Sequence, residues 1–326
     1  MNKNAKIYVA GHTGLVGSAI INKLTLLGYK RIITRSHKEL NLINQNDVNV
    51  FFESEKPDFV FLAAAKVGGI WANSNFPGDF IYENMLMGFN VIHASYINKV
   101  KKLINLGSSC IYPKLALQPM KEEYLLTGPL EKTNDAYALS KISVIKLCSA
   151  YNHQYGTNYL SVMPTNLYGP GDNYDANESH VLPSMIRKFH EAKISGTDKV
   201  VLWGDGSPLR EFLFSTDLAD AVVYLMEKYN ASDLNNEAGD FINLGSGIEY
   251  SIKRLSEKIR DIVYADVPNR NCIIQWDKTK PNGTPQKLLD ISRASKMGIN
   301  NKTSFDEGLR IAYNDFINNE VGKSKL

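Results

Sequence analysis

Three evenly spaced glycines, Gly11, Gly14 and Gly17, follow the first apolar run of the chain. Residues 6–10 have the pattern of a buried strand, and apolar residues at helical spacing continue to about Leu27. In a unit of strand, glycine turn and helix, the glycines permit a tight turn and let the backbone approach a pyrophosphate, which the amides at the helix start can hold. A plain tight turn would also explain the triplet, but its position favours a dinucleotide site. The residues of this predicted site are Gly11, His12, Thr13, Gly14, Leu15, Val16 and Gly17.

Strand-like and helix-like patterns alternate after this first unit. This alternation predicts an α/β fold with a doubly wound parallel sheet of the Rossmann type. The predicted strands are 31–34, 58–63, 102–106 and 159–163, and the predicted long helices are 77–98 and about 136–155.

The composition changes after Met163, where the turn-rich segment 164–172 begins. We expect a second, smaller lobe from this point. Strand-like segments at 211–215 and 240–244 are expected to return to the sheet on either side of a helix near 217–229. The predicted domains are therefore 1–165 plus about 209–246 for the cofactor, and about 166–208 plus 247–326 for the substrate.

The end of the second predicted strand bears on the choice of cofactor. An NAD site usually has Asp or Glu there to bind the ribose 2′-hydroxyl, but this chain has Arg35 and His37. Basic residues favour a 2′-phosphate and therefore NADP, although the nearby Glu39 keeps NAD possible and both residues are also compatible with a solvated loop. The segment 64–69, which follows the third strand, is rich in small residues that suit either a backbone contact with the cofactor or plain packing.

Tyr137 and Lys141 stand four residues apart on a predicted helix, so both can point into one pocket. A free phenol titrates near ~10, and a neighbouring ammonium helps it to exchange a proton at neutral pH. Ser108 follows the strand 102–106 and can serve the same substrate oxygen. These three residues together predict a carbonyl-reducing triad. A Tyr and a Lys at this spacing alone are often surface residues of a helix without a catalytic role.

The whole-chain properties exclude several classes of protein. The 37 basic and 34 acidic residues give a formal charge of +3, which is too small to indicate a nucleic-acid partner. The three cysteines have no C-x-x-C spacing, so neither a disulfide framework nor a metal site is predicted. The sequence shows no signal-peptide pattern and no apolar run of ~18 residues, so we expect a cytoplasmic protein without a membrane span.

Six segments carry a specific resemblance to a known family. Through them the chain resembles the extended short-chain dehydrogenase/reductases, and most closely the GDP-L-fucose synthase family among them, over nearly its whole length. The segments are 64–70, 107–113, 161–170, 179–180, 203–204 and 210–212.

The resemblance implies roles for individual residues. Ser108, Tyr137 and Lys141 would form the reductase triad, and Cys110 and His180 would be the base and acid of an epimerisation. The GDP sugar would contact Lys188, Trp203, Arg210 and the loop 280–285, including Asn282. Beyond the glycine loop, the implied NADP(H) residues are Arg35, His37, Asn41, Leu42, Leu106, Gly107, Ser109, Lys141, Pro164, Thr165, Asn166, Leu167 and His180.

The resemblance also implies an activity and an assembly. The expected reaction is the NADPH-dependent conversion of a GDP-4-keto-6-deoxy-D-mannose-type sugar to GDP-L-fucose, by epimerisation at C3 and C5 and reduction at C4. Related enzymes pair the two long helices into a four-helix interface, so we expect a homodimer. Two alternatives stay open: a C4 reductase of a related GDP-4-keto-6-deoxy sugar such as a heptose, and a non-catalytic nucleotide-sensing protein.

Overall fold

The computed structural model describes residues 1–176, 179–235, 239–267, 272–280 and 282–321. Its first half alternates strands with helices, as the sequence predicts. In chain order these elements are β1 (Lys6–Ala10), α1 (Leu15–Leu26), β2 (Arg31–Ile33), α2 (Gln45–Glu55), β3 (Phe59–Leu62), α3 (Ile70–Asn75), α4 (Pro77–Ile97), β4 (Lys102–Leu106), α5 (Asp135–Tyr155) and β5 (Tyr159–Pro164).

The second half contains more short strands than the sequence analysis predicts. The elements are β6 (Asn166–Tyr168), α6 (Val181–Ser195), β7 (Lys199–Trp203), β8 (Leu209–Phe214), α7 (Ser215–Lys228), α8 (Ala231–Leu234), β9 (Phe241–Leu244), β10 (Glu249–Ser251), α9 (Ile252–Val263), β11 (Ile273–Asp277), β12 (Gln286–Lys287), α10 (Ser292–Lys296) and α11 (Phe305–Phe316). Among the described helices, none combines the length and the apolar character that crossing a membrane requires.

Six parallel strands form the central sheet, in the order β2-β1-β3-β4-β5-β9. The prediction of a doubly wound parallel sheet is confirmed. The strand order changes direction between β1 and β3, and ligands of such sheets bind in the crevice at the carboxyl ends of the strands beside this point.

Strand β1 shows how both faces of the sheet are buried. Because successive side chains of a strand point to opposite faces, Ile7 and Val9 join one apolar core while Tyr8 and Ala10 join another. The first core contains residues of α1 and α7, which pack together, and the second contains residues of α2, α4 and α5. Helix α5 ends at Gly156, which adopts a left-handed conformation with φ of 65°.

Strand β8 corrects one expectation. The segment 211–215 was expected to return to the central sheet, but β8 pairs with β6 and β12 in parallel and with β10 in antiparallel orientation. Only the second expected strand, Phe241–Leu244, takes a place in the central sheet, beside β5. Helices α6, α9 and α11 cover the second layer with a separate apolar core. The division of the chain into two discontinuous lobes stays a prediction.

Candidate active site

A cavity of about 1140 Å³ lies at the carboxyl ends of β1, β3, β4 and β5 and extends to the second layer. Most residues that were singled out from the sequence line it, although they come from segments up to 271 positions apart, from Gly11 to Asn282. The predicted cofactor and catalytic residues in its wall are Gly11, His12, Thr13, Gly14, Leu15, Val16, Gly17, Arg35, His37, Asn41, Leu42, Leu106, Gly107, Ser108, Ser109, Cys110, Tyr137, Lys141, Pro164, Thr165, Asn166, Leu167 and His180.

The glycine loop forms one end of this cavity, and two of its glycines are required by close packing. A Cβ atom on Gly17 would lie 2.1 Å from the carbonyl oxygen of Gly11, and one on Gly11 would lie 2.7 Å from the backbone nitrogen of Ala64. Gly14 has room for a Cβ atom, with its nearest neighbour at 3.6 Å, and it starts α1 without a side-chain cap. The helix therefore presents backbone amides to the cavity, which fits the pyrophosphate of a dinucleotide.

Arg35 lines the cavity and is held there by three contacts. Its guanidinium donates to the carbonyl oxygen of Thr34 at 2.8 Å and pairs with the carboxylate of Glu55 at 2.5 Å. The group also lies 5.5 Å from the ring centre of Phe51. Glu39, which kept NAD possible, accepts hydrogen bonds from the backbone and hydroxyl of Ser36.

Ser108, Tyr137 and Lys141 come together in the wall of the cavity. The ammonium of Lys141 donates to the carbonyl oxygen of Leu106 at 2.9 Å and lies 5.8 Å from the ring centre of Tyr137. Burial lowers the pKa of Lys141 to about 8, and negative charge at Cys110 acts in the opposite direction. The predicted hydroxyl, phenol and ammonium therefore share one site.

The environment of Tyr137 favours the protonated phenol. Burial raises the pKa of Tyr137, negative charge at Cys110 raises it further, and a hydrogen bond with Ser108 lowers it. Phe80 of α4 meets the Tyr137 ring edge to face, with the ring centres 6.2 Å apart. A protonated phenol fixed in this way can donate to a carbonyl oxygen in the cavity.

Cys110 lies in a short helical turn, Ser109–Ile111, directly after β4. The Ser108 hydroxyl accepts from the backbone amide of Cys110 at 3.3 Å, and the amide group of Asn134 donates to its sulfur at 3.4 Å. Lys287 of β12 approaches the same sulfur to 3.9 Å from the second layer.

His180 stands immediately before α6 and lines the same cavity as Cys110. Desolvation lowers the pKa of His180 from its ordinary value, so the imidazole is neutral at pH 7. A neutral imidazole can accept a proton and return it, which suits a residue paired with a thiol in proton transfer.

The predicted substrate residues fall into two groups. Arg210 and Asn282 line the cavity, and the side-chain oxygen of Asn282 accepts from the backbone amide of Asp205 at 2.9 Å. Lys188 and Trp203 do not line it; burial lowers the pKa of Lys188, and the ammonium of Lys280 lies 5.5 Å from the ring centre of Trp203. Their contact with a substrate stays a prediction. In the predicted loop 280–285, position 281 lies outside the described residues.

Sequence reasoning missed several residues of the cavity wall, including Asn134, Asp172 and Lys287. Asn134 precedes the Tyr137 helix and Lys287 follows the loop 280–285, but neither has a local pattern that indicates a partner. Burial raises the pKa of Asp172 to about 7. Only the fold brings these side chains to the site.

Known proteins are similar to this chain over most of its length. Residues 7–245 match the model of the NAD dependent epimerase/dehydratase family. GDP-L-fucose synthase 1 of Arabidopsis thaliana is 50% identical, over 98% of this chain and 95% of its own length. GDP-L-fucose synthase of Escherichia coli strain K12 is 47% identical, over 97% of each chain.

A solved structure is similar over almost the same extent. MlghC, a GDP-mannoheptose C4 reductase from Campylobacter jejuni with NADP bound, is 37% identical, has a TM-score of 0.87, and is matched over 97% of this chain and 99% of its own. The relatives and the solved structure extend the similarity beyond residues 7–245 to nearly the whole chain. This chain belongs to the NAD dependent epimerase/dehydratase family.

Proposed function

We propose that this chain is an NADPH-dependent epimerase and reductase that converts a GDP-4-keto-6-deoxy-D-mannose-type sugar to GDP-L-fucose. Two GDP-L-fucose synthases, from Arabidopsis thaliana and Escherichia coli, match nearly the whole chain at 50% and 47% identity. The observation that carries the proposal is the presence of two proton-handling sets in one cavity. Ser108, Tyr137 and Lys141 form the first set, and Cys110 and His180 form the second.

The first set serves the reduction at C4. Bound NADPH supplies the hydride. Tyr137 donates its proton to O4 as the carbonyl becomes an alcohol, and the Ser108 hydroxyl holds the same oxygen. The ammonium of Lys141, anchored on the Leu106 carbonyl, stabilises the tyrosinate that remains.

The second set serves the epimerisation. The protons on C3 and C5 of a 4-keto sugar are acidic because the enolate places its negative charge on O4, which the Ser108 and Tyr137 hydroxyls already bind. The thiolate of Cys110 removes a carbon-bound proton, and the electron pair moves onto O4. The neutral imidazole of His180 takes up a proton from solvent and delivers it to the opposite face of the carbon. The reduction and the epimerisation therefore share one oxygen-binding arrangement.

The cofactor is proposed to be NADPH in preference to NADH. Arg35 and His37 line the cavity beyond the end of β2, where they can meet a ribose 2′-phosphate. The similar reductase structure contains NADP.

The diphosphate and guanine of the substrate are assigned to the second layer. Arg210 and Asn282 stand in the cavity wall, and Trp203 and Lys188 are proposed to lie beyond it along the nucleotide. Arg suits a diphosphate because its planar group donates two parallel hydrogen bonds. The assembly is proposed to be a homodimer through α4 and α5, and the location to be the cytoplasm.

A second candidate is a C4 reductase of a related GDP-4-keto sugar, such as a heptose, without epimerisation. The similarity to a GDP-mannoheptose C4 reductase supports it. The test is to incubate the protein with NADPH and each candidate sugar in heavy water and to identify the product by NMR. Deuterium at C3 and C5 with a GDP-L-fucose product supports the first proposal. Reduction without deuterium favours the second, and absence of NADPH oxidation with every sugar favours a nucleotide-sensing protein.

A further inference from the structure

We propose that Lys287 and Asn134 are positioning residues for Cys110: the ammonium of Lys287 stabilises its thiolate, and the amide of Asn134 directs the sulfur. This inference rests on the proposed function, in which Cys110 removes a proton from the sugar. It assigns the ionisation of the thiol to a residue of the second layer, 177 positions away in the chain.

The first support is the direction of the contacts at sulfur. The Lys287 ammonium at 3.9 Å and the Asn134 amide at 3.4 Å both donate to it. Donors stabilise the anion and not the neutral thiol, because a thiolate accepts hydrogen bonds well and a thiol only weakly.

The second support is the way in which Lys287 is fixed. Strand β12 runs parallel to β8, and Lys287 is in register with Arg210, so both cations project from neighbouring strands into the cavity. The fully buried carboxylate of Glu211 accepts from the backbone amides of Leu289, at 3.0 Å, and Gly247, at 2.7 Å. This carboxylate therefore clamps the segment after Lys287 onto β8.

The third support is the side chain of Asn134. It precedes α5 but does not cap that helix, and its carbonyl oxygen is buried without a partner among the described residues. The side chain therefore contacts Cys110 in the cavity wall and does not cap the helix. With its nitrogen on Cys110, the side-chain oxygen is left to accept a substrate hydroxyl next to the carbon from which the thiolate removes a proton.

The charged and titratable groups around Cys110 come from three elements. Tyr137 and Lys141 of α5 and Arg210 of β8 interact electrostatically with it, in addition to Lys287 of β12. In the proposed function, Lys141 stabilises the tyrosinate beside O4 and Arg210 binds the diphosphate. Lys287 is the cation in contact with the sulfur in the described part of the chain.

Alkylation by iodoacetamide measures the thiolate directly, since the other two cysteines, Cys148 and Cys272, are only 1% exposed. We expect Lys287→Met to slow modification at pH 7 by about tenfold, because the thiolate loses a charge-assisted hydrogen bond, and Lys287→Arg to restore most of the rate. Raising the pH should reduce the difference between the Met variant and the parent, because thiols in general ionise in alkaline solution without the help of a cation.

Two variants serve as controls, and a third tests the role of Asn134. Cys110→Ser should abolish modification of the native protein. Lys114→Met removes another cation of the cavity wall, one that pairs with Glu131 at 2.9 Å and does not contact the sulfur, and its alkylation rate should match the parent. Asn134→Ala should slow alkylation by about threefold, as expected for one hydrogen bond, and raise KM for the sugar.

Unchanged alkylation of both Lys287→Met and Asn134→Ala at pH 7 would overturn this inference. The proposed function is decided separately, by deuterium exchange in the parent protein. If the parent protein exchanges deuterium normally but Lys287→Met is alkylated at the parent rate, the positioning role of Lys287 is refuted and the epimerase proposal stands. If the parent protein shows no exchange but Lys287→Met is alkylated slowly, the epimerase proposal is refuted and the stabilisation of the thiolate by Lys287 stands.

Discussion

The guanidinium of Arg35 forms a 2.5 Å ion pair with Glu55, the last residue of α2, at the edge of the cofactor cavity. An acidic partner thus stands beside the proposed 2′-phosphate position, but it binds the arginine. The pair keeps the guanidinium against the Phe51 ring and presents it to the cavity.

Arg35→Ala should therefore reduce kcat/KM for NADPH by about tenfold to a hundredfold, the value of a charge-assisted hydrogen bond. The kcat/KM for NADH should stay the same, because NADH has no 2′-phosphate. Steady-state kinetics with both cofactors measure the ratio. Arg31→Ala, at the exposed start of the same strand, is the control. Equal efficiency of NADPH and NADH in the parent would contradict the prediction.

Tyr137→Phe should lower kcat for reduction by about 10²- to 10⁴-fold, since it removes the proton donor to O4. The ring and its edge-to-face contact with Phe80 are retained, so NADPH should bind as before. Stopped-flow oxidation of NADPH gives the rate, and fluorescence titration gives the affinity. A variant that keeps a tenth of the parent rate would assign the proton to another group.

Cys110→Ser should abolish deuterium exchange at C3 and C5 while reduction of the unepimerised 4-keto sugar continues. A serine hydroxyl is a far weaker acid than a thiol, so it does not supply the base, whereas the Ser108 and Tyr137 hydroxyls are untouched. NMR in heavy water detects both outcomes in one sample. Ordinary exchange in the variant would show that another residue is the base.

The pH profile of kcat/KM for the reduction should fall on the alkaline side, with its midpoint near the lowered pKa of Lys141, about 8. Below this pH the ammonium is charged and stabilises the tyrosinate; above it the neutral amine no longer does, so the rate decreases as pH rises. Lys141→Arg, which stays protonated, should shift the alkaline decrease in kcat/KM to higher pH. A profile that stays flat to about pH 10 would remove Lys141 from this role.

Light scattering at micromolar concentration should give the mass of a homodimer. Helices α4 and α5 pack together, and Tyr96 and Tyr155 stack on their surface with ring centres 4.3 Å apart. Tyr155→Glu should weaken the dimer because it places a charge on an aromatic surface. Leu26→Glu, on exposed α1, is the matched control and should leave the mass unchanged. A monomeric parent would contradict the prediction.

The first half of the fold was predictable because its signals are local. Residues 6–10 and 102–106 are apolar runs bounded by turns, and β1 and β4 occupy those residues. Gly11 and Gly17 belong to a glycine pattern only seven residues long. In the structure, a Cβ atom at either position would collide with nearby backbone. A window of a few residues contains the information for these elements.

The place of β8 and the contact of Lys287 with Cys110 were not predictable for the opposite reason. The sequence of β8 indicates a buried strand, but its pairing with β6, β10 and β12 depends on partners from three distant segments. Lys287 and Cys110 meet only after both layers of the fold have assembled. Contacts of this range leave no periodic pattern in one sequence.

The electrostatic effect of Cys110 on Tyr137 has a consequence for timing. A negative sulfur raises the pKa of the phenol, so the tyrosine is a poorer acid while the thiolate is present. In the proposed epimerisation the sulfur takes a proton from the sugar and loses its negative charge, so the phenol then releases its own proton more readily. Protonation of Cys110 would thus make Tyr137 a stronger acid. The epimerisation would thereby favour the reduction that follows it, and no conformational change would be needed to set this order.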